Sequence, residues 1–194
     1  MAPKTKKQYA EIRRKSKETI KEVALELFAY QGFHSTSISK ISKKAGVSKG
    51  LMYNYFESKE ALLHDILMDA VEVGERLMEE NLDKSGSVRE QLRALTEATL
   101  NMIRDNTHYW QLLTSLAFQP NILEGMSSVL EGKTEATLRR IQNLFEALGA
   151  PDPEKEALLY GAVLDGIVMN YFQMGEEYPL EEMKQYILKK FDLA

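Results

Sequence analysis

The chain has 194 residues, 44% of them hydrophobic, and a formal charge of −4, the composition of a folded protein large enough for one or two domains. It has no cysteine, which excludes disulfides, thiolate metal sites and a cysteine nucleophile. No apolar segment follows the basic start as a secretory signal would require, and no uninterrupted apolar run reaches the ~18 residues of a membrane span, so a cytoplasmic protein is expected.

Charge is unevenly spread. Residues 1–60 hold 13 Lys/Arg against 6 Asp/Glu, and residues 61–194 hold 12 against 23. A basic third beside an acidic remainder suits a module that meets phosphate joined to one that does not. The other reading of the basic third is a solvated surface.

Residues 1–10 are expected as a flexible basic tail, with Lys4, Lys6 and Lys7 able to reach phosphate. Helix 1 is expected from Glu11 to Gln31, where Ile20, Val23, Ala24, Leu27 and Phe28 form one apolar stripe. Arg13, Arg14, Lys15, Lys17 and Lys21 add positive charge early in that helix, Gly32 ends it, and Phe33 staples the loop to the core. Ser37 caps a short helix 2 that buries Ile38, Ile41 and Ala45. Gly46 stops it, Val47 makes a buried hinge, and Ser48 caps a third helix running through Phe56. Two short helices about a glycine turn make a helix-turn-helix, whose second helix is offered to the DNA major groove.

Helix 4 opens at Ser58 and runs to about Leu82; its N-terminus offers free N–H groups to a phosphate, and Lys59 adds charge. The polar Asp83-Lys-Ser-Gly86 breaks the pattern and marks the domain boundary in sequence terms, although helix 4 physically belongs to both parts. Ser87 and Glu90 form a capping box that opens helix 5, with Val88, Leu92, Leu95, Thr99, Met102 and Ile103 on one side. Asn106 and Thr107 start a short helix 6 that ends at Pro120. Helix 7 lies within Asn121 to Leu148, with Gly125 and Gly132 as possible interruptions. Asp152 and Pro153 open helix 8, apolar over most of its circumference as far as Met174. Asp165 within it needs a partner; a ligand, a helix end and a dimer interface are the options, and a structural role is favoured. Helix 9 follows Pro179, with Glu181 and Glu182 first and Lys189 and Lys190 last, as the helix dipole prefers.

The run AGVSKGLMYNYFESKEAL, Ala45 to Leu62, closely resembles the DNA-binding domain of TetR-family transcriptional regulators, and Ala24 to Phe33 fits that family's first helix. The resemblance covers about 50 residues and rests on a glycine turn, a Ser-Lys-Gly cap, Tyr-x-x-Phe and Ser-Lys-Glu. It implies an all-α fold: an N-terminal three-helix helix-turn-helix domain, residues 11–58, and a C-terminal helical ligand-binding and dimerisation domain, residues 59–194. By the same resemblance, Ser37 and Ser39 match positions that touch phosphate or a base edge, Tyr53 and Tyr55 match positions whose side chains reach phosphates, with half-buried scaffold the alternative for Tyr53, and tails like residues 1–10 sometimes lie near the minor groove. Ser48, Lys49 and Gly50 open the recognition helix, where Lys49 can donate to guanine or phosphate. Leu51 departs from the family's usual small or polar residue, Met52 replaces the more usual Leu, and Lys59 adds charge at the DNA. A palindromic operator bound by a homodimer, with pairing through residues 153–174 and 180–191, and release by an unknown small-molecule effector are also implied. For the effector, Tyr109, Trp110, Leu113, Phe118, Met169 and Phe172 are the candidate lining, with plain core the alternative for each.

Catalysis finds no support. His34, His64 and His108 lack metal-ligand spacing, and no nucleophile elbow, Walker or dinucleotide pattern occurs. No metal or cofactor is implied. A protein-binding module on the same fold is the remaining alternative.

Overall fold

The computed structural model describes residues 5–82, 86–119, 121–122 and 127–193. All regular secondary structure among them is helical: α1 Lys6–Gln31, α2 Ile38–Lys44, α3 Lys49–Tyr55, α4 Lys59–Leu82, α5 Val88–Asp105, α6 Thr107–Ala117, α7 Ser127–Ala147, α8 Pro153–Met174 and α9 Leu180–Lys190, with a 3-10 turn at Gly175–Glu177. The all-α expectation holds. None of these helices is long and apolar enough to cross a membrane.

Two compact units divide the chain. The first is Met1–Val71 with Leu112–Gly125; the second is Glu72–Gln111 with Met126–Ala194. This differs from the expected boundary at residues 58/59. The reason is burial: Leu62, Leu63, Ile66 and Leu67 of α4, and Leu112, Leu113 and Leu116 of α6, are all buried within the first unit. Helices α4 and α6 therefore each belong to both units.

The start of α1 also differs. Residues 6–10, expected within a tail, are helical, because Thr5 accepts from the Gln8 N–H while the Gln8 side chain accepts from the Thr5 N–H. This capping box satisfies two donors that an earlier helix start leaves free. Lys4 lies outside the described residues.

In the second unit, Met78, Leu82, Leu92, Leu95, Ile141, Phe145, Ala157, Tyr160, Leu188 and Leu193 form one core. Phe145, Tyr160 and Phe191 meet edge to face or tilted, with centroids 5.4–5.9 Å apart. The one polar pair inside is self-consistent: Thr96 Oγ1 donates to Leu92 O at 2.8 Å, so the Tyr160 hydroxyl donates to Thr96 across 2.8 Å. Burial pushes that phenol up to about 12. The Ser87–Glu90 capping box and the Asp152 cap before Pro153 form as expected. Gly132 lies inside α7 without interrupting it; Gly125, Pro120 and residues 83–85 lie outside the described residues.

Candidate nucleic-acid interface

The helix-turn-helix is built by local chemistry. Ser37 Oγ accepts from the Lys40 N–H at 3.3 Å and starts α2. At its end, Gly46 takes φ +68°, Val47 N–H donates to Ser42 O at 3.0 Å, and Gly46 N–H donates to Lys43 O at 3.3 Å. This pair of bonds is the Schellman closure, and a side chain at the left-handed position would be strained. Ser48 Oγ then accepts from the Leu51 N–H at 3.1 Å and starts α3; Ser58 Oγ does the same for Ala61 N–H at 3.0 Å and starts α4.

The packing sorts the side chains of α3. Met52 and Phe56 are buried, as expected for core. Val47 and Leu51 are half-buried, Ser48, Lys49 and Gly50 are exposed, and Tyr53 is 50% exposed. No atom lies within 4 Å of a Cβ built on Gly50, so the protein itself leaves room there.

A concavity of about 350 Å³ opens on this face, lined by His34, Ser35, Thr36, Ser37, Ile38, Ser39, Lys49, Tyr53 and Lys59. It brings together five of the nine expected DNA residues: Ser37, Ser39, Lys49, Tyr53 and Lys59. Ser48, Gly50, Leu51 and Tyr55 lie elsewhere on the helix-turn-helix.

Two of the nine carry internal duties the sequence did not reveal. Lys59 Nζ donates to Phe33 O at 2.8 Å and Thr36 O at 3.0 Å, and lies 4.3 Å from the Phe33 ring centre. Tyr55 carries the Arg13 guanidinium over its ring at 5.4 Å. Much of the charge on α1 is similarly engaged. Lys17 pairs with Asp65 at 3.2 Å, Lys21 with Asp65 and Asp69, and Arg14 with Glu11 and Glu18. Lys44 pairs with Glu26 at 2.7 Å. By contrast, Lys49 makes no ion pair among the described residues.

His34 and Gln119 are residues that sequence reasoning missed. His34 lines the concavity and meets Phe33 edge to face at 5.4 Å. Its neighbours in sequence are Phe33 and Ser35, and no periodicity or motif singles it out. Gln119 reaches the α1–α2 loop across more than eighty residues of sequence.

The six effector candidates separate. Tyr109 and Trp110 meet edge to face at 5.2 Å, and Gln111 Nε2 donates to Phe172 O at 3.0 Å, which ties α6 to α8 in the second unit. Met169 and Phe172 are half-buried on α8. Leu113 and Phe118 belong to the first unit, Leu113 buried and Phe118 80% exposed.

Asp165, exposed on α8, makes no hydrogen bond or ion pair among the described residues, and partial desolvation raises its carboxyl above the usual range. Around it, α8 exposes Leu158 and Leu159, each 51% accessible, and Met174, while Tyr186 is exposed on α9.

Residues 20–66 match the family of bacterial regulatory proteins called the tetR family. The fatty acid metabolism regulator protein of Bacillus subtilis is 26% identical over 127 residues, 66% of this chain and 62% of its own length. An uncharacterised HTH-type regulator of the same organism, YuxN, is 48% identical over 54 residues, 28% of this chain and 19% of its own. The chain thus spans less than two thirds of either relative. Among solved structures, the transcriptional regulator FadR of Bacillus subtilis, in complex with stearoyl-CoA, superposes with a TM-score of 0.70 at 23% identity, covering 90% of this chain and 96% of that one. The domain whose caps, turn and second short helix are described above is thus similar to that of the tetR family of bacterial regulatory proteins.

Proposed function

We propose that the chain is a ligand-responsive transcriptional repressor that binds a palindromic operator as a homodimer and is released by a small-molecule effector. The observation that carries this reading is the concavity of Ser37, Ser39, Lys49, Tyr53 and Lys59: hydroxyls and the Lys49 ammonium converge on one face beside the exposed start of α3, with Lys59 held on Phe33 O and Thr36 O in its wall. Donors of this kind position a protein on phosphates, while the exposed side chains of α3 are those available to base edges. Lys49 supplies a cation with no ion-pair partner among the described residues.

The homodimer reading rests on α8 and α9. Leu158, Leu159 and Ala162 are exposed on α8, and no atom lies within 4 Å of a Cβ built on Gly161 or Gly166, so another helix can approach closely. On α9, Glu181 and Glu182 stand at one end and Lys189 and Lys190 at the other. Two such helices laid antiparallel place opposite charges together, which favours a second copy of this chain. A dimer whose recognition helices stand about 34–36 Å apart reads successive major grooves, and an effector weakens binding only by preferring a different spacing. Long-chain acyl-CoA, the class found with the Bacillus subtilis FadR, is the first effector class to screen.

The test is selection of duplexes from a random DNA pool at two salt concentrations. Enrichment of an inverted repeat at low salt and its loss at high salt is the expected result, since counterions return to the phosphates as salt rises. No enrichment by folded, dimeric protein turns the reading toward a protein-binding module.

A further inference from the structure

The loop between α1 and α2, residues 32–37, is held by two long side chains that come from the two helices shared between the units. From α4, Lys59 Nζ donates to Phe33 O and Thr36 O at 2.8 and 3.0 Å. From just beyond the end of α6, Gln119 uses both ends of its amide. Its Nε2 donates to Phe28 O at 2.8 Å and Ala29 O at 3.4 Å, and its Oε1 accepts from the Phe33 N–H at 3.2 Å. Phe28 and Ala29 lie in the last turn of α1, where carbonyls lack intrahelical partners. The Phe28 carbonyl also accepts from the Gly32 N–H at 3.0 Å.

The bonds continue toward the concavity. Phe33 O accepts from Lys59, and Thr36, buried beside it, donates its hydroxyl to Gly32 O at 2.9 Å and Leu27 O at 3.3 Å. The next residue is Ser37, the cap of α2 and a wall of the concavity. One backbone unit therefore separates the Gln119–Lys59 clasp from a side chain on the DNA-facing surface. Withdrawing Gln119 leaves the Phe33 N–H and the Ala29 carbonyl without these partners, a cost the loop can escape only by rearranging.

We propose that Gln119 is a positioning residue for DNA binding: it latches the α1–α2 loop so that Ser37, Ser39 and Lys59 stand correctly around the concavity, and displacement of the end of α6 releases them. The inference rests on the DNA-binding reading above. It gives α6 a direct handle on the interface, through a residue that itself lies outside the concavity.

The test uses the full-length chain and the duplex that it selects. Gln119→Leu keeps the bulk and removes every hydrogen bond; it should weaken duplex affinity about tenfold, the scale set by unpairing partly buried polar groups. Gln119→Glu supplies a readout that a merely structural role does not move. Ionised, its carboxylate faces the Phe28 and Ala29 carbonyls as a second acceptor; protonated, it regains one donor and one acceptor like the amide. Its affinity relative to wild type should be low at pH 8 and recover at pH 5.5. His34 on the loop and Lys59 on α4, the titratable groups beside the latch, are common to both proteins and cancel in that ratio, as does Glu57 between α3 and α4. Recovery with pH supports the latch even if Gln119→Leu fails to fold. Wild-type affinity in both variants at pH 8, or a Gln119→Glu deficit unchanged at pH 5.5, overturns it. A wild-type chain that selects no duplex overturns the DNA-binding reading, and the latch with it.

Discussion

The face around α3 and the face of α8 both expose side chains that a folded chain usually engages, yet they are built in opposite ways. Around α3, the side chains are polar, and most cations nearby already have partners: Lys17 and Lys21 on the α4 carboxylates, Lys44 on Glu26, Lys59 on two carbonyls. What remains for a phosphate is a small set, with Lys49 the clearest member. On α8, the large exposed side chains include Leu158, Leu159 and Met174, and Asp165 on the same helix has no partner within the described residues. Net charge is therefore a poor guide to the first surface, and apolar content a good guide to the second. A cation that is spent inside the fold still counts in the sequence, whereas an apolar residue on an exposed face stays available to a partner.

The largest effect expected is on the core that supports the first face. Phe28 is fully buried, and Phe28→Ala should cost about 3–5 kcal/mol, read as a fall in the urea midpoint. Leu158→Ser on the exposed α8 face should cost under about 0.5 kcal/mol in the monomer. Its effect should appear in sedimentation as loss of dimer. A Leu158→Ser chain that stays dimeric and loses stability instead would mean that α8 is covered from within the chain.

The next effect separates spent from free cations. Lys49→Ala should reduce the slope of log affinity against log salt by about one and weaken binding across sequences. Lys17→Ala, which breaks the pair to Asp65, should leave that slope unchanged. Equal slopes in the two variants would erase the distinction drawn here. Smaller still, Tyr53→Phe removes one exposed hydroxyl from the concavity and should weaken duplex binding up to about tenfold, the value of one ordinary hydrogen bond, without altering the melting temperature. Unchanged affinity at equal stability removes Tyr53 from the phosphate contacts.

These comparisons show what the sequence carried. The helix-turn-helix was legible because its signals are local: Ser37, Gly46, Ser48 and Ser58 each act on backbone within five residues. The boundaries of α5, α8 and α9 were legible for the same reason. The early start of α1 was missed because Thr5 and Gln8 form a capping box in a stretch whose charge reads as a tail. That helix 4 belongs to both parts was legible, but not where along it the units divide, because the apolar stripe of α4 is continuous and nothing in its period says which partner covers each turn. Lys59 and Gln119 were illegible as a pair, since their shared target is loop backbone, which leaves no trace in side-chain pattern.

The smallest effect concerns Asp165. Although the residue is exposed, partial desolvation raises its carboxyl in the folded chain above the ordinary value near 3.8, and no cation among the described residues offsets this. The folded state then holds the proton more tightly than the unfolded state does. Stability from this group is fully present below the unfolded value and is lost as pH rises through the folded one. Asp165→Asn, which stays neutral, should match wild type near pH 4 and exceed it increasingly toward neutral pH in urea unfolding of the monomer. A gap that is constant with pH would mean that water solvates the carboxylate fully. A gap that shrinks toward neutral pH would mean that a cation pairs with it, in which case the α8 face carries a charged contact and resembles the α3 face more than its apolar surface suggests.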